Sequence, residues 1–264
     1  MPRAHRCLLP NHVWHLTHRC HNRQFLLAEP ATRCRWVHWL GEARREYGLC
    51  VLDYMVTCSH IHLLTHCGPD RSVIERSMQL IEGRVAQEYN ETHGRCGAFW
   101  SDRYHGTAVD PKTRLFDCMA YIDLNMVRAG VVANPGDWEH CGHAELQSPP
   151  ARYSLIDRPQ LLALADMGDE EFRACHRDAI AQRMAENVRE AQWTESVAVG
   201  GEEFVDSIRA KLGYRTANTR GVEPSADEAG VYVLREERVE YVADDGVPES
   251  GRAENKAIEI ELTL

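Results

Sequence analysis

The first regular pattern along the chain is HVWHLTHRC (12–20), where side chains alternate with the period of a strand. From Pro30 to Tyr47 the period lengthens. Trp36, Val37, Leu40, Ala43 and Tyr47 recur at helical spacing, and Gly48 stops the run. LCVLDYMVT (49–57) and SHIHLLTH (59–66) read as two strands joined by a very tight connection, followed by a turn at CGPD. The pattern predicts a second helix over 71–92, ended by HGRCG, and a further strand over 104–109. Asp110 then offers an N-cap, Pro111 a first helical residue, and Arg128 with Gly130 an ending, which predicts one helix over 110–130. Leu115, Met119, Ile122 and Met126 form its core-facing stripe. The order β-α-β-β-α-β-α predicts an α+β fold. It is a ferredoxin-like split β-α-β domain with an antiparallel sheet and helices on one face.

Beyond residue 130 the pattern weakens. Residues 131–150 read as a loop-rich bridge ending in Pro149-Pro150, and 153–213 as mostly helical. Residues 214–264 are polar and acidic with few large apolar side chains. They read as a largely disordered tail within which VYVLREERVEYV (231–242) forms a local strand or hairpin. The expected division is a catalytic domain over 1–150, a helical accessory segment over 151–213 and an acidic tail over 214–264.

The 264 residues carry a formal net charge of −10, which argues against a nucleic-acid partner until its distribution is read. Residues 1–150 hold 16 Lys and Arg against 16 Asp and Glu, with 13 of the 14 histidines; the remainder holds 14 basic and 24 acidic residues. The acidity therefore belongs to the C-terminal part. All but one of the front part's basic residues are arginine, whose planar fork suits phosphate; a bias in genome composition explains the preference equally well. The ten cysteines include no CxxC pair, which weakens zinc-finger and dithiol readings. Cys20, between Arg19 and His21, is the one best placed for exposure. No apolar run is long enough to span a membrane and the N-terminus lacks a signal-peptide core, so the expected location is cytoplasmic, with no membrane partner.

The chemistry concentrates in CSHIHLLTH (58–66). On a strand, Ile61 and Leu63 enter the core while His60 and His62 project together from the other face. Two neutral imidazoles side by side suit a divalent metal, although a histidine pair alone is a weak signal. Tyr121 and Asn125 stand one helical turn apart and share a face. An interfacial tyrosine and a backbone-capping asparagine are the plainer reading of that pair.

HVWHLTHRCHNRQFLL (12–27), SHIHLL (59–64), GAFWSDRYHGTAV (97–109) and YIDLNMVRAGVV (121–132) together resemble the single-tyrosine HUH transposases, and within them the REP-associated tyrosine transposase branch. The resemblance covers about residues 5–150. It implies a metal-dependent tyrosine transposase that cuts and rejoins single-stranded DNA at hairpin (REP-like) sequences. It implies His60, His62 and Asn125 as ligands of Mg²⁺ or Mn²⁺, and Tyr121 as the nucleophile that forms a 5′-phosphotyrosine. Ser59 stands where relatives often carry asparagine, and Met126 where many carry proline. Arg19, His21, Asn22, Arg23, Arg103 and His105 are the expected DNA contacts, with Trp14, Trp100 or Tyr104 available to stack on bases. Tyr104 is the runner-up nucleophile. Three other readings stay open: a domesticated hairpin-binding protein of the same fold, an unrelated metallohydrolase using the histidine pair, and a purely structural protein. A homodimer, and an active site shared across it, are also open.

Overall fold

The computed structural model describes residues 8–186, 190–212, 220–226 and 230–236. The strands are β1 (His12–Arg19), β2 (Cys50–Val56), β3 (His60–Cys67), β4 (His105–Val109), β5 (Ala198–Gly200), β6 (Arg220–Pro224) and β7 (Tyr232–Glu236). The helices are α1 (Pro30–Tyr47), α2 (Ser72–Thr92), α3 (Leu115–Asp123), α4 (Asn125–Arg128), α5 (His143–Gln147), α6 (Arg158–Ala165), α7 (Asp169–Glu186), α8 (Gln192–Glu195) and α9 (Glu202–Lys211). The first four strands and α1 and α2 fall within a residue or two of the predicted spans. No helix among the described residues is long and apolar enough to cross a membrane.

One seven-stranded sheet runs in the order β2-β3-β1-β4-β5-β7-β6. Its first four strands are antiparallel neighbours, the arrangement a split β-α-β unit requires. β5 pairs parallel to β4, and β7 and β6 follow as an antiparallel pair. The sheet thus extends into the segment expected as tail, where two stretches are strands; the remainder of 214–264 lies outside the described residues apart from short flanking pieces.

Helices cover both faces of the sheet rather than one. On the first face, Trp36 and Leu40 of α1 and Ile74, Met78, Ile81 and Val85 of α2 meet Trp14, Leu16, Ile61 and Leu63 of the strands. Pro30 opens α1, and Gly48 closes it at φ 72°, a left-handed conformation that glycine adopts without a Cβ penalty. On the second face, Leu115, Met119, Tyr121, Ile122 and Met126 pack against Val13, Leu52, Met55, Leu64 and Val109. All four residues of the predicted stripe on 110–130 are buried.

That predicted helix is shorter and broken. The Asp110 carboxylate accepts from the Lys112 amide at 3.1 Å and the Thr113 hydroxyl at 2.8 Å, which holds a turn instead of a helical start. Arg114 has φ −124°, and helix begins only at Leu115. Leu124, at φ −82° and ψ 1°, separates α3 from α4. Gly130 ends the unit as expected, at φ 68°.

Candidate functional site

The pairing register of β1 with β3 sets Thr17 opposite His62 and Arg19 opposite His60. Because alternate side chains share a face, His15, Thr17, Arg19, His60 and His62 all project toward α3. His15 and His62 are diagonal neighbours, and their rings stack with centroids 5.1 Å apart.

A chain of hydrogen bonds fixes which nitrogen of each ring is available. The Trp193 carbonyl can only accept, so His15 Nδ1, 3.0 Å away, donates to it. His15 Nε2 then accepts from His62 Nδ1 at 2.9 Å, which leaves the lone pair of His62 on Nε2. His60 Nδ1 is engaged in turn, 3.0 Å from Thr57 Oγ1 and 3.1 Å from Ser59 Oγ; Thr57 Oγ1 also donates to the His60 carbonyl at 2.8 Å and accepts from the Ser59 and His60 amides. Ser59 therefore touches the ring despite being shorter than asparagine. Burial holds His15 down to about 3 and His60 to about 4, and holds His62 well below the ordinary imidazole range. The three rings are neutral near pH 7, the state in which an imidazole is a ligand.

Asn125 meets the pair from above, its Nδ2 2.9 Å from His62 Nε2. Tyr121 is 7 % exposed. Its ring stands edge-on to His62 at 5.7 Å and to His15 at 6.0 Å, with Trp193 at 6.1 Å. The Arg128 guanidinium lies 4.5 Å over the same ring and donates to the Tyr121 carbonyl. The break at Leu124 thus leaves Tyr121 and Asn125 on one side, with Arg128 folded back beneath them. One chain supplies both halves of this arrangement.

The residues fit a divalent ion. Both histidines keep Nδ1 engaged and present Nε2, and the adjoining amide presents its oxygen after a half-turn about its terminal bond. Three neutral donors of this kind suit a metal that keeps its charge for a phosphate.

The other candidates cluster at one end of the sheet. Arg19 ends β1, and its carbonyl accepts from Ser101 N at 3.0 Å. His21, Asn22 and Arg23 form the turn that follows, with Asn22 and Arg23 at φ 50° and 56°. Arg103 lies in the bend just before β4. Arg19, Asn22, Arg23 and Arg103 are exposed. His105 shares the face of His15 but contacts the Ser196 carbonyl at 2.9 Å through Nε2. Trp14 is core, and Trp100 stacks on His18 at 4.4 Å. Tyr104 is buried in the apolar cluster on the opposite sheet face, away from the histidine pair. Cys20 is fully buried, and burial pushes its thiol up to about 12.

Sequence reading missed His15, Arg128 and Trp193. For His15 the signal was present, since HVWHLTH places it on the same strand face as Thr17; the register that brings it to His62 was not. Arg128 was readable only as a helix-end cation, and Trp193 lies in a segment with no motif.

A ferredoxin-like sheet that offers a histidine pair to a tyrosine and an asparagine is the architecture implied for tyrosine transposases. Residues 9–125 match the family model described as Transposase IS200 like, a span that contains His60, His62, Tyr121 and Asn125. This part of the chain is similar to the IS200-like transposases. Among solved structures, a REP-associated tyrosine transposase bound to a REP hairpin is 18% identical, with 59% of this chain and 90% of that chain covered, at a TM-score of 0.45. A structure described as a candidate transposase of Deinococcus radiodurans R1 is also 18% identical, with coverage of 39% and 83% and a TM-score of 0.31. No curated protein matches the chain.

Proposed function

We propose that this domain cleaves and rejoins single-stranded DNA beside hairpins of the REP type, through a covalent 5′-phosphotyrosine on Tyr121. The observation that carries the reading is the convergence of four side chains in one chain: His60 and His62 with their Nε2 lone pairs presented, Asn125 at 2.9 Å from His62, and the Tyr121 ring at 5.7 Å. His60, His62 and Asn125 would hold Mg²⁺ or Mn²⁺, which when bound would neutralise and orient a non-bridging phosphate oxygen.

The Tyr121 hydroxyl attacks phosphorus as the bond to the 3′ oxygen breaks. The oxygen–phosphorus bond to tyrosine forms, the phenol loses its proton, and the departing 3′ oxygen gains one. A 3′-OH attacking the phosphotyrosine reverses these changes, so strand transfer needs no external energy. Tyrosine ordinarily holds its proton to about pH 10. The Arg128 guanidinium over the ring favours the phenolate that develops during attack. Arg19, Arg23 and Arg103, exposed at the sheet end where His60 opens, are placed to take phosphates on either side of the cut. His21 and Asn22 supply polar contacts in the same turn.

The test is an end-labelled hairpin-bearing single strand with Mn²⁺. The natural sequence gives a labelled covalent adduct, and Tyr121→Phe gives none. An adduct that survives Tyr121→Phe overturns the assignment. Metal-dependent hydrolysis without any adduct favours a metallohydrolase, and tight hairpin binding without cleavage favours a domesticated binding protein.

A further inference from the structure

A second cluster of metal-ligating side chains lies outside the site described above. Asp123 ends α3, His143 begins α5 and His176 lies within α7, and one donor atom from each falls within 4.8 Å of the others. His143 Nδ1 is 2.8 Å from Asp123 Oδ2, and His176 Nε2 is 3.1 Å from the same oxygen, off the line of a hydrogen bond. Asp123 and His176 are fully buried. Asp123 Oδ1 has no hydrogen-bond partner.

A second buried carboxyl lies near enough to feel the charge of Asp123. Asp53 lies at an irregularity in the pairing of β2 with β3 and is fully buried. Its Oδ1 accepts from the Tyr54 amide, while Oδ2 has no partner. A Cβ added at Gly142, next to His143, would sit 2.4 Å from Asp53 Oδ1, so the close approach of these segments requires glycine there. Burial, and then the charge of Asp123, push the Asp53 carboxyl well above its ordinary range. At Asp123, a buried carboxyl with one orphaned oxygen, and two imidazoles aimed at its other oxygen, make a compact donor set that a dication would satisfy.

We propose that Asp123, His143 and His176 form a three-ligand structural site for Zn²⁺, distinct from the His60–His62 pair. Imidazole nitrogen with carboxylate oxygen suits zinc rather than magnesium, which favours oxygen and water. Tetrahedral zinc at about 2.0–2.1 Å from its ligands sets neighbouring donors roughly 3.3 Å apart. The observed separations of 2.8 and 3.1 Å would need to open by only a few tenths of an ångström. Gln147 steadies the His176 ring: its Nε2 is 2.7 Å from His176 Nδ1 while its Oε1 accepts from the Arg177 guanidinium at 3.1 Å. Partly exposed His143 gives the ion a way in. About 200° of helical rotation separates Tyr121 from Asp123, so the ion would fasten α3 from behind while the front of the helix carries the nucleophile.

The experiment uses the full chain with His60→Ala and His62→Ala, which removes the first site. Zn²⁺ is added alone, bound metal is measured after dialysis, and thermal midpoints are recorded with and without it. One retained equivalent and a raised midpoint are expected. Adding His143→Ala should weaken binding at least tenfold and abolish the rise, while His143→Cys, which restores a ligand, should keep both. No zinc retained by the folded double variant overturns the proposal, as does retention unchanged in a folded His143→Ala protein. Folding is checked by far-ultraviolet circular dichroism. If His143→Ala fails to fold, His176→Gln is compared in the same way, and unchanged zinc retention there also overturns it.

Discussion

β3 gives its two faces opposite tasks. Ile61 and Leu63 are fully buried against α1 and α2, among side chains that ask only for volume and shape. His60 and His62, one residue away on either side, face α3 and carry a chain of directional bonds that runs from Trp193 through His15 to Asn125. The first face tolerates exchange of similar apolar volume. The second is polar and buried, so each bond lost leaves a donor or acceptor without a partner. A single strand can therefore separate stability from chemistry by alternation alone, and substitutions on its two faces should fail in different ways.

The largest effect is expected from Tyr121→Phe. The ring and its contacts with His62 and Arg128 remain, so the fold should keep its thermal midpoint, while covalent product falls below detection. A variant that loses the midpoint as well would mean that the hydroxyl serves the fold. Next comes His62→Ala, for which we expect cleavage to drop on the order of 100-fold or more, since removal of a ligand should exceed the roughly 10–100-fold typical of an outer-shell change. Cleavage within a few-fold of the natural sequence, at saturating Mn²⁺ and with a folded protein, would remove the histidine from the mechanism.

Leu63→Ala tests the other face. It should cost about 2–5 kcal/mol of stability by leaving a cavity. Adduct formation per folded molecule should stay unchanged well below the lowered midpoint. A loss of adduct that folding does not account for would show that the two faces are coupled. His15→Phe lies between these cases, because it keeps the ring volume and removes both nitrogens. We expect metal affinity to fall about 10–100-fold, recoverable by added Mn²⁺, because His62 loses the acceptor that holds Nε2 forward. A deficit that no concentration of metal restores would assign His15 another role.

How much of this was legible in the sequence follows the same division. Alternation in HVWHLTHRC and SHIHLL gave the faces, and spacing gave Tyr121 and Asn125 a common side. Register was not legible, because it depends on how β1 slides along β3; His15 was therefore one histidine among many. The break at Leu124 was hidden, since the apolar stripe continues through it to Met126. β5 has three residues, too few to show a period, and β6 lies in a polar stretch, whereas β7 falls within VYVLREERVEYV, which did read as a strand. Asp123, His143 and His176 come from three elements with no motif linking them. Only packing brings them together.

The smallest expected effect is a slope of stability with pH, and it also distinguishes the two faces. His60 is held to about 4 and His15 to about 3, both by burial, while an unfolded imidazole titrates near 6.5. Between these values the unfolded chain binds the protons that the folded chain refuses. The contribution of the neutral rings is thus complete above about pH 6.5 and is lost as pH falls toward 4. Thermal midpoints should decline from pH 7 to pH 5 in the natural sequence, and decline less steeply in His15→Phe, which removes one of the groups responsible. Leu63→Ala should lower the midpoint at every pH without changing the slope, because no titrating group is lost from the first face. Equal slopes in the natural sequence and His15→Phe would mean that His15 already accepts a proton in the folded protein. The ordered bonds from Trp193 through His15 to His62 would then not hold, since a protonated His15 Nε2 cannot accept from His62 Nδ1.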